Sequence, residues 1–182
     1  MPALADDPRI VELRSLGAAI GQNVFLGADV YVERDFAPLL TIEDGVVLAR
    51  GVCILLHDSA LNNVAGEPLK FGHVVLGSRC YIGANTTIAC GVTIGAGAIV
   101  GACSLVTGDV PPDAVAYGQP ARVQGTVREL IEKHRGLRAT SGRFRYLDMV
   151  PWRERRDTEG SALAAETIRS FIGRMLDAKR SA

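Results

Sequence analysis

The chain has 182 residues, of which 48% are hydrophobic, 22% charged and only 5% aromatic, and its formal net charge is zero. That length suits one domain with an appendage, and with so few aromatics the core must be built from small and aliphatic side chains. The balance gives no reason to expect a nucleic-acid partner, although it is uneven: residues 1–120 hold 6 basic and 12 acidic side chains, residues 121–182 hold 14 and 8.

The opening MPALADDPRIVEL has no basic region followed by an apolar run. Neither a signal peptide nor a spanning segment is expected. Residues 1–19 therefore read as a lead-in. The four cysteines, Cys53, Cys80, Cys90 and Cys103, form no CxxC pair, which suggests a reduced, cytoplasmic protein with no structural disulfide or metal.

From Ile20 onward a period of six sets in. Ile20, Leu26 and Val32 form a first set, with Val24 and Val30 four residues after the first two. The residues ERDFAPLLT (33–41) interrupt it, and Ile42, Leu48 and Ile54 resume it, with Val46 and Val52 at the fourth place. A second interruption, LLHDSALNNVAGEPLKFGHVV (55–75), carries two of the three histidines, His57 and His73. The longest set follows: Leu76, Ile82, Ile88, Ile94, Val100 and Val106, each with a small or β-branched residue four places on, and four of the six followed by glycine. Neither the period of two of an exposed strand nor the 3.6 of a helix fits, whereas short strands joined by tight turns do. Three hexapeptides close a triangular coil, and coils stack about 4.8 Å apart. The glycine after the aliphatic residue is expected to adopt a turn conformation that other residues resist.

The two interruptions are not placed at random. Labelling the corners of each coil in order, both leave the prism after its third strand and return at its first, one coil apart. The two loops should therefore lie stacked on one edge, and long loops on a regular scaffold are where function concentrates.

Beyond residue 125, TVRELIEKHR (126–135) places Val127, Leu130, Ile131 and His134 on one helical face, with Thr126 as N-cap. A second amphipathic segment, residues 161–180, follows an irregular link that holds Trp152, the only tryptophan. A docking role for this tail is favoured over a membrane surface.

The hexapeptide pattern, together with the closing stretch VTGDVPPDAVAYGQPARV (106–123), resembles the hexapeptide-repeat acyltransferases. The fold implied is an all-β solenoid, a left-handed parallel β-helix over residues 20–125 with loops 33–41 and 55–75, followed by a C-terminal helical extension, residues 126–182. LLHDSALNNVAGEPLKFGHVVLGSRCYIGA looks like the active-site loop of the family's sugar O-acetyltransferases, which implies His57 as general base. An imidazole with an ordinary pKa near 6.5 can take the proton of an attacking hydroxyl at neutral pH. Asp58, Asp35 and Glu33 are candidates to orient it or to bind substrate. The resemblance further implies acetyl-CoA as donor, no metal, a homotrimer with the donor in a groove between protomers, and a small sugar or glycan acceptor. It carries donor-binding roles onto Ala84, Ala102, Thr107, Gly108 and Arg122, with one departure: relatives commonly have lysine where this chain has Gly108. An amino-sugar N-acyltransferase, a xenobiotic or antibiotic acetyltransferase and a non-catalytic structural trimer stand as alternatives. A zinc carbonic anhydrase on the same scaffold would need three suitably spaced histidines, which His57, His73 and His134 do not supply.

Overall fold

A computed structural model describes residues 7–140, 166–172 and 174. Residues 7–140 carry sixteen short strands, three α-helices and one 3-10 segment. Thirteen of the strands build a left-handed parallel β-helix of triangular section. Its first face stacks Ala19–Ile20, Leu40–Ile42, Val74–Leu76 and Thr93–Ile94. The second stacks Phe25–Leu26, Val47–Leu48, Tyr81–Ile82, Ile99–Val100 and Ala114–Gly118, closed by the antiparallel Ala121–Thr126. The third stacks Tyr31–Val32, Cys53–Ile54, Thr87–Ile88 and Leu105–Val106.

The register puts like on like. Ile20, Ile42, Leu76 and Ile94 align on the first face, Leu26, Leu48, Ile82 and Val100 on the second, Val32, Ile54, Ile88 and Val106 on the third. All but Ile20 are buried, and the fourth-place residues from Val46 to Val110 are buried beside them. Two of these are polar. The Thr86 and Ser104 hydroxyls both donate to the Gly101 carbonyl, at 2.9 and 2.7 Å, so neither enters the prism unpaired.

The reason for glycine after the aliphatic residue differs from the sequence expectation. At Gly77, Gly83 and Gly95 a Cβ would lie 2.3–2.5 Å from a backbone nitrogen of the next coil. Close approach of stacked backbones excludes a side chain there. The left-handed turn residue comes two places later, at Asn23, Asp29, Gly45, Gly51, Arg79, Asn85, Gly91, Gly97 and Cys103.

The open first coil is sealed by a helix, Pro8–Ser15, within the stretch expected to be a mere lead-in. Asp7 caps it, accepting from Arg9 N at 2.9 Å, and Pro8 occupies its first turn. Ile10 and Leu13 are buried. Arg9 donates to the carbonyls of Leu26 and Gly27 at 2.7 and 2.8 Å, and Arg14 to those of Ile20 and Gly21 at 2.9 and 2.6 Å. Two guanidinium groups thus occupy carbonyls on two faces of the exposed sheet edge, a position that otherwise invites pairing with another chain.

The prism belongs to a compact unit, Asp6–Lys133; His134 onward groups separately. The helix Val127–Thr140 opens with a reciprocal cap: Glu129 N donates to Thr126 Oγ1 at 3.2 Å, and Thr126 N to Glu129 Oε2 at 2.7 Å. None of its side chains is fully buried. Residues 166–172 and 174 are helical, with Ile168 and Ile172 exposed; the rest of the second amphipathic segment, Trp152 and the link around it lie outside the described residues. Among the described residues no helix is long and apolar enough to cross a membrane.

Candidate active site

The edge where the third face turns into the first carries both interruptions. After Val32 the chain makes a 3-10 segment, Arg34–Leu39, before rejoining the first face at Leu40. After Ile54, one coil on, it leaves until Val74. This second excursion is a narrow antiparallel ribbon, His57–Asp58 against Lys70–Phe71, closed by the six-residue helix Ala60–Ala65. Being one coil apart on one edge, the loops touch.

Glu33, the first residue off its strand, reaches the start of the longer loop. Its Oε2 accepts from Leu56 N at 2.6 Å, His57 N at 3.0 Å and His57 Nδ1 at 2.9 Å. Burial alone would raise the Glu33 pKa, but the imidazole hydrogen bond and the two backbone N–H groups outweigh it and hold the carboxyl below its ordinary value. An ionised carboxylate is acceptor only, so the proton sits on Nδ1 and Nε2 presents its lone pair. Among the described residues Nε2 has no hydrogen-bond partner, and the His57 side chain is 27% exposed. Glu33 thus sets the tautomer of a partly exposed imidazole.

Two aromatic rings flank it. Phe36, from the shorter loop and half-buried, lies with its centroid 4.7 Å from that of the imidazole; Phe71 lies 6.2 Å away and packs edge-on to Phe36 at 5.2 Å. Neither was singled out from sequence. In a chain with only five phenylalanines, one in each loop was the available signal.

The other orienting candidates do not meet the imidazole. Asp58 Oδ1 accepts from Ala60 N at 2.9 Å and so starts the loop helix. Asp35 is exposed, with no hydrogen bond or ion pair among the described residues, while its neighbour Arg34 pairs with Glu12. His73 Nε2 faces Thr41 Oγ1 at 2.9 Å, away from His57's ring contacts. Burial, with a smaller contribution from the Glu33 charge, raises the Cys53 thiol pKa, which disfavours the thiolate.

The same edge continues upward. Gly72 stacks on Gly91, and Thr107–Val110 form the corner of the fourth coil. That corner breaks the turn pattern, since Asp109 is not left-handed and its Oδ1 instead accepts from Thr93 N at 2.7 Å. A cavity of about 350 Å³ opens there, with Thr107, Gly108 and Arg122 in its wall beside Ala116 and Ala121. At the coil spacing it lies about 10 Å along the axis from the His57 level. A Cβ on Gly108 would meet nothing within 4 Å. Ala84 and Ala102 are elsewhere. They stack on each other at the edge between the second and third faces, where Cys103 N donates to the Ala84 carbonyl at 2.8 Å. Three of the five donor-binding candidates thus share one cavity and two do not.

A larger open groove, about 610 Å³, runs past Ala19–Gly21, Thr41–Asp44 and Ser78. Its carboxylates are committed to scaffold: Glu43 accepts from Ser78 N and Asp44 from Gln22 N. It holds no histidine, lysine or cysteine. Among the described residues no cluster of three metal-ligating side chains occurs.

Comparison with known proteins agrees with the repeat. The bacterial transferase hexapeptide (six repeats) matches residues 73–108, and the hexapeptide repeat of succinyl-transferase matches residues 17–55. Galactoside O-acetyltransferase of Escherichia coli (strain K12) is 29% identical over 141 residues, 66% of this chain and 68% of the relative. A hexapeptide-repeat-containing acetyltransferase from Vibrio cholerae O1 biovar eltor, solved with acetyl coenzyme A, is similar at 29% identity and a TM-score of 0.54 over 60% of each chain. A polySia-specific acetyltransferase is similar at 26% identity and a TM-score of 0.50 over 59% of this chain. The chain spans less than two thirds of the length of these two structures, 60% and 50%.

Proposed function

Because hexapeptide-repeat transferase models match residues 17–55 and 73–108 of this chain, we infer that it moves an acetyl group from acetyl-CoA to a hydroxyl of a sugar or glycan precursor, with His57 as general base. One observation carries the chemistry: Glu33 fixes Nδ1 of His57 and leaves Nε2 open, on the edge that also bears the Thr107–Arg122 cavity.

The step is direct. Nε2 takes the acceptor's hydroxyl proton as the oxygen attacks the thioester carbonyl carbon. The tetrahedral oxyanion collapses, the carbon–sulfur bond breaks, and the imidazolium returns the proton to the leaving thiolate. Products are an acetyl ester and free CoA thiol. Between the two proton transfers the imidazolium faces the Glu33 carboxylate, which stabilises its charge as well as its orientation. A protonated, burial-disfavoured Cys53 argues against a covalent acyl-enzyme. The acetyl donor is suggested by the acetyl-CoA complex of the similar Vibrio protein, and a carbohydrate acceptor by the names of the galactoside and polySia enzymes. Arg122, in the cavity wall, is suited to a phosphate of the nucleotide end.

The active form in this reading is a homotrimer. Its support is the outward column on the second face, Phe25, Val47, Tyr81 and Ile99 in register, all large apolar or aromatic side chains, where the first face shows Ala19, Thr41, Val75 and Thr93.

The test is release of CoA thiol from acetyl-CoA against a panel of sugars, with His57→Ala as control. Acceptor-dependent release that His57→Ala abolishes supports the reading. Full rate in that variant removes His57 as base, and no release with any acceptor removes acetyl transfer.

A further inference from the structure

Phe71 is one of several large side chains left exposed, at 48%, and among the exposed aromatic residues it is the one whose ring lies beside the His57 imidazole. The backbone pairs with His57 across the ribbon, Gly72 N donates to the Leu56 carbonyl at 3.2 Å, and the edge of Phe36 meets the ring at 67°. Its plane is tilted only 31° from the imidazole's, with the centroids 6.2 Å apart. A six-membered ring lying on Phe71 therefore carries its substituents to the imidazole.

Resting on the acetyl-transfer reading, we propose that Phe71 selects the acceptor by taking the apolar face of a six-membered ring whose hydroxyl points at His57 Nε2. The surroundings suit a neutral ring. Asp58 and Lys70, of opposite charge, pair in register one position on from His57 and Phe71, and Leu69, two residues before Phe71, is also exposed. Aromatic side chains recognise rings through dispersion and the weakly positive C–H groups such rings present to a π face. A pyranose and a cyclic alcohol of another origin share this chemistry; an open-chain polyol does not.

The experiment uses the full chain with acetyl-CoA and three acceptors: a methyl pyranoside, a cyclohexanediol and sorbitol. Wild type is expected to favour the rings in kcat/KM, and Phe71→Ala to lose about tenfold of that ring-to-sorbitol preference, with Phe71→Trp retaining it. The pyranoside and cyclohexanediol arms tell sugar from other cyclic alcohols. Binding without turnover is read by adding Phe71→Trp to His57→Ala and titrating each ring while following tryptophan emission, against a His57→Ala background that carries Trp152 alone. A saturable change specific to Trp introduced at position 71 supports the proposal. A ring preference unchanged within twofold in Phe71→Ala, or no acceptor-dependent emission change, overturns it. If His57→Ala keeps full rate while Phe71→Ala loses ring preference, the base assignment fails and the Phe71 assignment stands. Turnover of none of the three acceptors removes both.

Discussion

One oxygen of Glu33 holds His57 at two points, its backbone N–H at 3.0 Å and its ring Nδ1 at 2.9 Å. Main chain and imidazole are thereby fixed from a residue 24 positions earlier, across the contact between two coils. Removing that oxygen frees the ring to turn and lets either nitrogen carry the proton. Glu33→Ala is expected to lower kcat by about 10–100-fold, the usual range for an orienting partner, with the KM for acetyl-CoA unchanged. Glu33→Gln keeps an acceptor for the Nδ1 proton but removes the charge facing the imidazolium, so it should fall between. Equal losses in kcat and donor binding would instead indicate a collapsed loop.

The same carboxylate makes a prediction about acid stability. Its folded pKa lies below the ordinary 4.5, so the folded state favours the ionised form more than the unfolded chain does. The contribution is complete above about 4.5 and is lost as pH falls through the depressed folded value. Thermal unfolding of wild type and Glu33→Gln between pH 7 and pH 3 should therefore converge toward the acid end. Asp7, also held low, first by its Arg9 hydrogen bond, adds to the acid limb of both proteins and cancels in the difference.

The scaffold predicts which glycines can be replaced. A Cβ at Gly72 would stand 2.4 Å from the backbone nitrogen of Gly91, so Gly72→Ala must push the returning end of the His57 loop away from the next coil. A loss of about 1–3 kcal/mol is expected, typical of overpacking. Gly108→Ala meets open space and should leave the unfolding midpoint within error. If the two variants proved equally stable, backbone stacking would not be the reason for glycine in these corners.

Those glycines also show how far sequence arithmetic reaches. The period of six gave the coil, and two slips at one corner gave loops on one edge, because both follow from counting alone. Why Gly83 must be glycine did not follow: φ preference and close approach leave the same mark in a sequence, and only the 2.4 Å that would separate a Cβ at this position from Ala102 N tells them apart. The choice among Glu33, Asp35 and Asp58 was equally closed to counting, since all three lie near the loop starts. It is decided by where the strand ends, which aims Glu33 inward and leaves Asp35 on the 3-10 turn. The sealing helix does have a mark in the sequence: Asp7 before Pro8 is a cap followed by a first-turn proline.

The second-face column predicts the assembly. Tyr81 stands at its middle, between Val47 and Ile99, and is 45% exposed in the single chain. A glutamate there would bury an unpaired charge in any contact made through this face. Tyr81→Glu is expected to reduce the mass measured by light scattering threefold, with the β-sheet circular dichroism retained. A wild type that is monomeric at micromolar concentration would remove the trimer from the proposal.

Arg122 tests the donor side independently of the base. In the cavity with Thr107 and Gly108 it is the one cation of the lining. A charge-assisted hydrogen bond from guanidinium to a phosphate oxygen accounts for about 1.5–3 kcal/mol, or roughly ten- to hundredfold in binding. Arg122→Ala should therefore raise the KM for acetyl-CoA by at least about tenfold while leaving the acceptor KM alone, the reverse of what the Phe71 variants do. Because Gly108 has room for a side chain, Gly108→Lys placed on Arg122→Ala should recover part of the donor affinity, and the recovery should shrink as salt rises. Dephospho-CoA thioester used as donor locates the contact: a smaller penalty from Arg122→Ala with that donor assigns the guanidinium to the ribose phosphate, and an equal penalty assigns it to the pyrophosphate. A donor KM that Arg122→Ala does not move would take the nucleotide end out of this cavity altogether.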